Sequence, residues 1–410
     1  MSAVAATAAR RRPARVARKA GAVEFQLLLF LALGLVAFGL VMVYSATSAP
    51  AALAKSDPAS ALKRQGIYAL LGVVALAVTM RFDYRRLRRL APTLLVVSGV
   101  LCAFVAVAAP PVNGARRWLT FGSLTFQPSE LAKLSLAIWA SAYLARRPAP
   151  RSLKELMRPI GAVFCVFAVL ILLEPDLGTT ITIAIMLCGV LFVSAVPLRT
   201  LGAALTITSV LGFAMVWMRP FQRARLLTFL NPWDDPSNAG LQVTQALISL
   251  GSGGLFGRGL GQGVEKIHYL PEANTDMIFA VIGEELGLVG VTMVVLAYAA
   301  FAYAGFRIAL AARDPFGKRL AAGLTTMICG QAAINIAAVL SIAPLTGIPL
   351  PFISYGGTSL LVTLASVGVL LNIAVHGGNQ PASVPDRGGR NGGTRRAGAR
   401  SGGSAARARR

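Results

Sequence analysis

Apolar runs of membrane-crossing length recur along the chain from residue 25 to residue 376, each set off by a short polar stretch. A helix of roughly 20 apolar residues matches the hydrocarbon thickness of a bilayer, and about ten such spans can be drawn. They cover 25–46, 65–80, 92–110, 129–145, 159–174, 179–197, 201–218, 277–305, 320–345 and 356–375. The pattern predicts an all-α polytopic membrane protein. Its longest polar interval, 219–276, lies between the seventh and eighth spans and would form one large loop.

Charge supplies an independent check. The N-terminal arm, "RFDYRRLRRL" (81–90), "ARRPAPRSLKELMR" (145–158), Arg199, "RIALAARDPFGKR" (307–319) and the C-terminal arm are the basic segments. With ten spans they all fall on one side, which the positive-inside rule makes the cytoplasm, together with both termini. The intervals 47–64, 111–128, 175–178, 219–276 and 346–355 then face outward. The first apolar run is long enough, and needed enough for this alternation, to be a retained helix rather than a cleaved signal.

Composition agrees, with 55% hydrophobic residues, a mean hydropathy of +0.66 and only 14% charged residues. The net charge of +24 resides largely in the two ends. Residues 1–23 hold Arg10, Arg11, Arg12, Arg15, Arg18 and Lys19, and the tail from 377 to 410 scatters arginines among Gly, Ser and Ala. Both read as disordered cytoplasmic arms drawn to anionic lipid. No folded reading module accompanies them, so nucleic acid is not the expected partner. The cysteines Cys102, Cys165, Cys188 and Cys329 stand singly in apolar runs, without metal or redox spacing, and suit core packing.

Against this apolar background, polar islands carry the candidate chemistry. Of 16 acidic residues, Glu265, Glu272, Asp276, Glu284 and Glu285 gather around the start of the eighth span. "ANTD" before "MIFAVIG" predicts a helix start, with Asn274 or Thr275 as cap and Asp276 in the first turn. Glu284 and Glu285 would lie about 12–14 Å further along and face the bundle interior. Arg219, Arg223 and Arg225 open the large loop as a cationic cluster suited to phosphate. "SLGSGGLFGRGLGQG" (249–263) lacks the Gly-Lys-Ser/Thr ending of a P-loop and is read as a flexible or re-entrant segment framing a site. Further islands are Arg116, Arg117 and Trp118, Glu130 and Lys133 at pairing distance i,i+3, Glu174 and Asp176 at a helix junction, and "PLTGIPLPFISYGGTS" (344–359), which breaks an apolar run. One outward-facing polar cavity would unite them. A transporter would look similar at this level.

The same islands resemble the SEDS family (shape, elongation, division and sporulation), the FtsW and RodA type of peptidoglycan polymerase. The resemblance runs over about residues 25–376 and rests on "VMVYSA", "GARRW" with "FQPSELAKL", "EPDLGT", "GLGQG", "YLPEANTDMIFAVIGEELGLVG" and "PFISYGGTS". It implies ten transmembrane helices with a large extracytoplasmic loop between the seventh and eighth. It also implies polymerisation of lipid II, an undecaprenyl-diphosphate-linked disaccharide peptide, into β-1,4 glycan strands at the outer face of the cytoplasmic membrane. "FAVIGEELG" looks closer to the FtsW division type, whereas "TGIPLPF" leans toward RodA. Many relatives carry His where Asn274 stands.

By this resemblance Asp276 is the catalytic base. Arg117, Arg219, Arg223, Lys266, Glu272 and Ser354 are expected at the substrate and its diphosphate, with Glu130, Lys133, Glu174 and Glu285 holding the cavity together. A divalent cation, Mg2+ or Mn2+, is expected, and no nucleotide. The implied partners are a class B penicillin-binding protein that crosslinks the strands and other divisome proteins at the septum. The alternatives are a lipid II flippase, an elongation or sporulation polymerase of the same family, and a non-catalytic scaffold.

Overall fold

The computed structural model describes residues 2–110, 116–122, 124–218, 220–234, 240–267 and 270–377, with side chains from Val23 onward except at 121 and 220–222. Its helices in chain order are α1 (Ser2–Leu53), α2 (Ser60–Arg81) and α3 (Tyr84–Ala108). A two-stranded antiparallel hairpin follows, β1 (Leu119–Phe121) and β2 (Leu124–Phe126), then α4 (Pro128–Ala145) and α5 (Leu153–Leu156). A π-helical turn, Met157–Gly161, joins α5 to α6 (Ala162–Leu173), and α7 (Leu177–Val193), α8 (Leu198–Met218), α9 (Pro220–Leu230) and α10 (Leu241–Ser252) come next. The chain closes with α11 (Ile278–Ala311), α12 (Pro315–Val339) and α13 (Gly357–His376).

Each apolar span read from the sequence falls on a helix, and eight helical stretches have the length and hydropathy to cross a membrane. The two that fall short have a physical reason to. Seventeen-residue α7 packs against α4, α6 and α12. In α4, Ser129, Glu130, Lys133, Ser135 and Ser141 are all buried, so it faces protein rather than lipid and has no need of uniform hydrophobicity. Two boundaries differ from expectation. The ninth span stops at Val339 instead of 345, and Ser341–Gly356 runs irregularly. The N-terminal arm, expected to be disordered, continues as the helical backbone of α1, as its Ala- and Arg-rich composition favours.

Helix α13 is the centre of the bundle, buried on nearly all sides and packed on α2, α1, α12 and α4. Its contact with α2 is close because Gly368 has no side chain; a Cβ there would lie 2.0 Å from the Thr79 hydroxyl. By contrast, only Thr200 and Leu201 are buried in α8, which stands at the margin of the bundle.

The glycine-rich stretch, read from the sequence as a flexible or re-entrant segment framing a site, does not line the cavity described below. Instead it repairs a break in α11. At Gly287 (φ 65°) the helix is interrupted, freeing carbonyls before the break and amides after it. Loop amides of Arg258 and Gly259 donate to the Glu284 and Glu285 carbonyls, each at 3.0 Å. In return, Leu288 and Val289 donate to the Gly254 and Leu255 carbonyls at 3.0 and 3.2 Å. Buried backbone groups need such partners, above all where lipid supplies none.

The two glutamates before the break complete the anchor. Glu285 binds Lys266 at 2.5 Å and accepts from the Ser45 hydroxyl at 2.7 and 2.8 Å. Glu284 accepts from the Val264 amide at 2.7 Å. Glu285 was expected to hold the cavity together; it anchors the glycine-rich loop instead. Lys266 was expected at the diphosphate; it is enclosed in this clasp and does not reach the cavity described next.

Candidate functional site

A cavity of about 1480 Å³ opens among α4, α6, α7, α8, α9 and the segments preceding α11 and α13. Its two halves differ in chemistry. One is polar, lined by Arg117, Trp118, Gln127, Glu130, Asp176, Arg225, Glu272, Asp276, Thr358 and Ser359 among others. The other is an apolar trough between α6, α7 and α8, running from Leu172 and Val216 down to Leu156 and Leu201. A concave site of this kind suits an amphiphile with a polar head and a long hydrocarbon tail.

Asp276 sits at the polar end. The helix it was expected to begin starts two residues later, at Ile278, with Met277 in the cap position and no side-chain cap bond. Asp276 is therefore not a helix-capping carboxylate. It is buried, with Gln242 Nε2 at 3.4 and 3.5 Å and the Thr275 hydroxyl at 3.3 Å from its oxygens. Burial raises its pKa from 3.8 to about 6; Glu272 adds to the rise and Arg225 opposes it. The folded value exceeds the unfolded one, so the fold favours the neutral acid. That stability is full below pH 4 and is lost as pH climbs through 6, a sacrifice on the order of 3 kcal/mol at neutral pH. A reaction needing the carboxylate should lose rate about tenfold per pH unit below 6, which a pH–rate profile between 4.5 and 8 reads directly.

The facing cation is Arg225. Its Nη1 and Asp276 Oδ2 both approach Gly347, 3.9 and 4.0 Å from where a Cβ would be, so the two groups converge on the space that the missing side chain leaves open. Gly347 has a φ of 70°, a conformation that glycine takes without strain. Burial lowers the Arg225 pKa, Asp276 raises it and nearby Arg117 lowers it, as two cations sharing one cavity should. Arg223 turns the other way: it is exposed, with its guanidinium 5.9 Å from the Trp217 ring centre, and does not line the cavity. Residues two apart on a helix point about 200° apart, so only one of the pair can face inward. Arg219 lies outside the described residues.

On the opposite wall, Arg117 Nε donates to the Glu174 carbonyl at 2.7 Å, and its Nη2 donates to the Pro175 carbonyl. The neighbouring carboxylate that lines the cavity is Asp176. It caps α7 through the Thr179 amide at 3.0 Å and accepts from Gln127 Nε2, also at 3.0 Å. The Glu174 side chain is buried behind this wall, and neither of its oxygens has a partner among the described residues. Burial first and Asp176 second push its pKa up to about 8, with Arg117 opposing them. Glu130 binds Lys133 at 2.8 Å as its i,i+3 spacing predicts, and it also lines the cavity. Glu272 is exposed at the rim, accepting from the Thr275 hydroxyl at 2.8 Å. Ser354, expected at the substrate, is buried outside the cavity, and its hydroxyl accepts from the Leu350 amide at 2.7 Å. Gln127 and Gln242 are site residues that sequence reasoning did not single out. Among the described residues, no group of three or more His, Cys, Asp or Glu side chains could by itself hold a metal.

Comparison with known proteins connects this geometry to a family. The family model described as "Cell cycle protein" (FtsW, RodA, SpoVE) matches residues 25–379, which contain every residue of the cavity. The chain belongs to the FtsW/RodA/SpoVE family. Within it, the chain is 39% identical over 352 residues to the probable peptidoglycan glycosyltransferase FtsW of Geobacter metallireducens, covering 85% of this chain and 93% of that one. It is likewise 39% identical over 359 residues to the protein of the same name in Mycobacterium tuberculosis, covering 86% and 68% of the two chains. The rod shape determining protein RodA of Thermus thermophilus superposes with a TM-score of 0.64 at 30% identity, over 86% of this chain and 97% of that one. A chain of a peptidoglycan synthase complex that coordinates polymerization and crosslinking superposes with a TM-score of 0.71 at 32% identity, over 85% and 96%. The sequence resemblance to this family, on the FtsW side of it, is thereby established.

Proposed function

We infer that this FtsW/RodA/SpoVE family member is a peptidoglycan glycosyltransferase of the FtsW type that polymerises lipid II. The observation that carries the reading is Asp276: a buried carboxylate with a raised pKa, close enough to Arg225 to feel its charge and converging with it on Gly347 at the polar end of an amphiphilic cavity. Asp276 takes the proton from the C4 hydroxyl of an N-acetylglucosamine unit as that oxygen bonds to C1 of an N-acetylmuramoyl diphospho-lipid. The C1–O bond to the diphosphate breaks, the centre inverts from α to β, and undecaprenyl diphosphate leaves. A base with a pKa near 6 is well matched to this task at neutral pH. The diphosphate leaves without protonation, so the cavity needs cations rather than a second acid.

Arg225 and Arg117 are those cations, with Arg219 a further candidate. Glu130, Lys133 and Glu174 maintain the cavity walls, and the trough along α8 receives the isoprenoid chain. Glu272 at the rim, with the substrate phosphates, would offer hard oxygen ligands to a divalent cation, which when bound would neutralise diphosphate charge. Counting α4 and α7 as short spans gives ten crossings, places the basic ends in the cytoplasm and puts the Asp276 end outside. The family context supports a class B penicillin-binding protein as the crosslinking partner, together with other divisome proteins at the septum.

The test is strand formation from labelled lipid II with Mg2+ by the full-length protein, with and without such a partner. Muramidase-sensitive β-1,4 strands support the reading; lipid translocation without strands would replace it by a flippase. Within this assay, Arg225→Ala should lower kcat/KM for lipid II by about 10–1000-fold, the scale of losing a charge partner to a developing oxyanion. Arg223→Ala, which removes only an exposed contact, should stay within about threefold of wild type.

A further inference from the structure

The irregular segment between α12 and α13 carries Gly347, yet it has no strand beside it to satisfy its carbonyls. Helix α12 does so with side-chain amides. Gln331 and Asn335, one turn apart and both buried, face this segment together. Gln331 Nε2 donates to the Pro349 carbonyl at 2.9 Å, while its Oε1 accepts from Lys133 at 2.7 Å. Asn335 Nδ2 uses both hydrogens: it donates to the Asp276 carbonyl at 2.7 Å and to the Ile348 carbonyl at 2.9 Å. A single nitrogen thus holds the backbone of the carboxylate and the backbone next to Gly347. A direct backbone hydrogen bond between these two segments runs from the Tyr355 amide to the Asn274 carbonyl, at 2.8 Å.

Asn335 does not line the cavity and cannot touch the substrate there. Its carbonyl oxygen is buried and without a partner among the described residues. A buried acceptor left unpaired costs stability, so packing alone does not account for an amide at this position. What the amide does is fix how far Asp276 stands from the Gly347 turn, beside which Arg225 Nη1 also lies.

We propose that Asn335 is a positioning residue for glycosyl transfer, setting the backbone of Asp276 against the Gly347 turn, and that Gln331 supports the same segment one turn away. The proposal rests on the reading of Asp276 as the base. It also joins that base to the far wall of the cavity, because Gln331 continues through Lys133 to Glu130. Transfer reactions are sensitive to displacements of about 1 Å in the reacting groups, which can cost about a hundredfold in rate.

The experiment compares steady-state kinetics on labelled lipid II for the full-length wild type, Asn335→Ala, Asn335→Ser and Asp276→Asn in lipid vesicles with Mg2+. Asn335→Ala is expected to lower kcat by about 10–100-fold while KM for lipid II stays within about threefold. Asn335→Ser, whose hydroxyl can still hold one of the two carbonyls, should recover part of that loss. Wild-type kcat in Asn335→Ala beside an inactive Asp276→Asn would overturn the positioning role alone, as would a raised KM at unchanged kcat. An active Asp276→Asn would overturn the base assignment and this proposal with it. Should Asn335→Ala fail to fold, the same criteria are applied to Asn335→Ser.

Discussion

Asp276→Asn is expected to reduce strand formation from lipid II by about 10²–10⁴-fold, the usual worth of a positioned general base. The substitution preserves shape and removes only the ability to accept a proton. Its effect on stability should have the opposite sign. Burial holds the Asp276 pKa near 6, so the wild-type carboxylate is a charge the fold would rather not contain. A neutral amide at this position relieves that cost, and the variant should unfold at the same temperature as wild type or a higher one. Initial rates of glycan synthesis together with a thermal unfolding curve check both halves. An inactive variant that also unfolds early would point to a structural role instead. Natural active sites commonly carry such a stability–activity trade-off.

Lys266→Met is expected to act in the reverse manner, on folding rather than on chemistry. Lys266 and Glu285 are both almost completely buried, and the Ser45 hydroxyl and Gly261 carbonyl complete the shell around the ammonium. Removing one partner of a buried ion pair strands the other charge, at a cost of about 3–5 kcal/mol. The stranded Glu285 would also loosen the glycine-rich loop from the break at Gly287. The variant should therefore accumulate poorly in membranes and unfold at lower temperature. Replacing both residues, in Lys266→Met with Glu285→Met, should recover much of the loss because no charge remains unpaired. Had Lys266 been a diphosphate ligand, the single variant would fold normally and the double variant would recover nothing. Thermal unfolding of the purified single and double variants separates the two cases.

How far the sequence could be read depended on the range of the interaction. Spans were legible because lipid imposes one requirement on every residue that faces it. The Glu130–Lys133 bond was legible because i,i+3 geometry is local. The importance of Asp276 was legible from carboxylates clustered in an otherwise apolar chain, and the motifs around it made the family recognisable. Its environment was not legible: a helix start two residues too early placed a buried carboxylate in the first turn of a helix. The glycine-rich stretch failed for the same reason, since its partners are the carbonyls and amides of a helix break some thirty residues downstream. Lys266 was placed at the diphosphate, and Arg223 rather than Arg225 was named beside it, because side-chain direction was unknown within 219–276, which was read as one loop although α9 and α10 lie inside it. A helical register for α9 would have separated Arg223 from Arg225. Asn335 and Gln331 gave no signal, as an amide inside an apolar span looks the same whether it packs, bends a helix or positions a catalytic group.

The central claim is that the lipid-linked sugar diphosphate reacts at the polar end of the cavity, between Asp276 and Arg225. Its most direct test is photocrosslinking of the full-length protein with a lipid II analogue that carries the reactive group next to its diphosphate, followed by mapping of the labelled peptides. The account expects labels in the peptides containing Arg225, Asp276 and Gly347, displaced by unlabelled lipid II. Labels confined to the glycine-rich loop around Lys266, with none in the cavity, would contradict it.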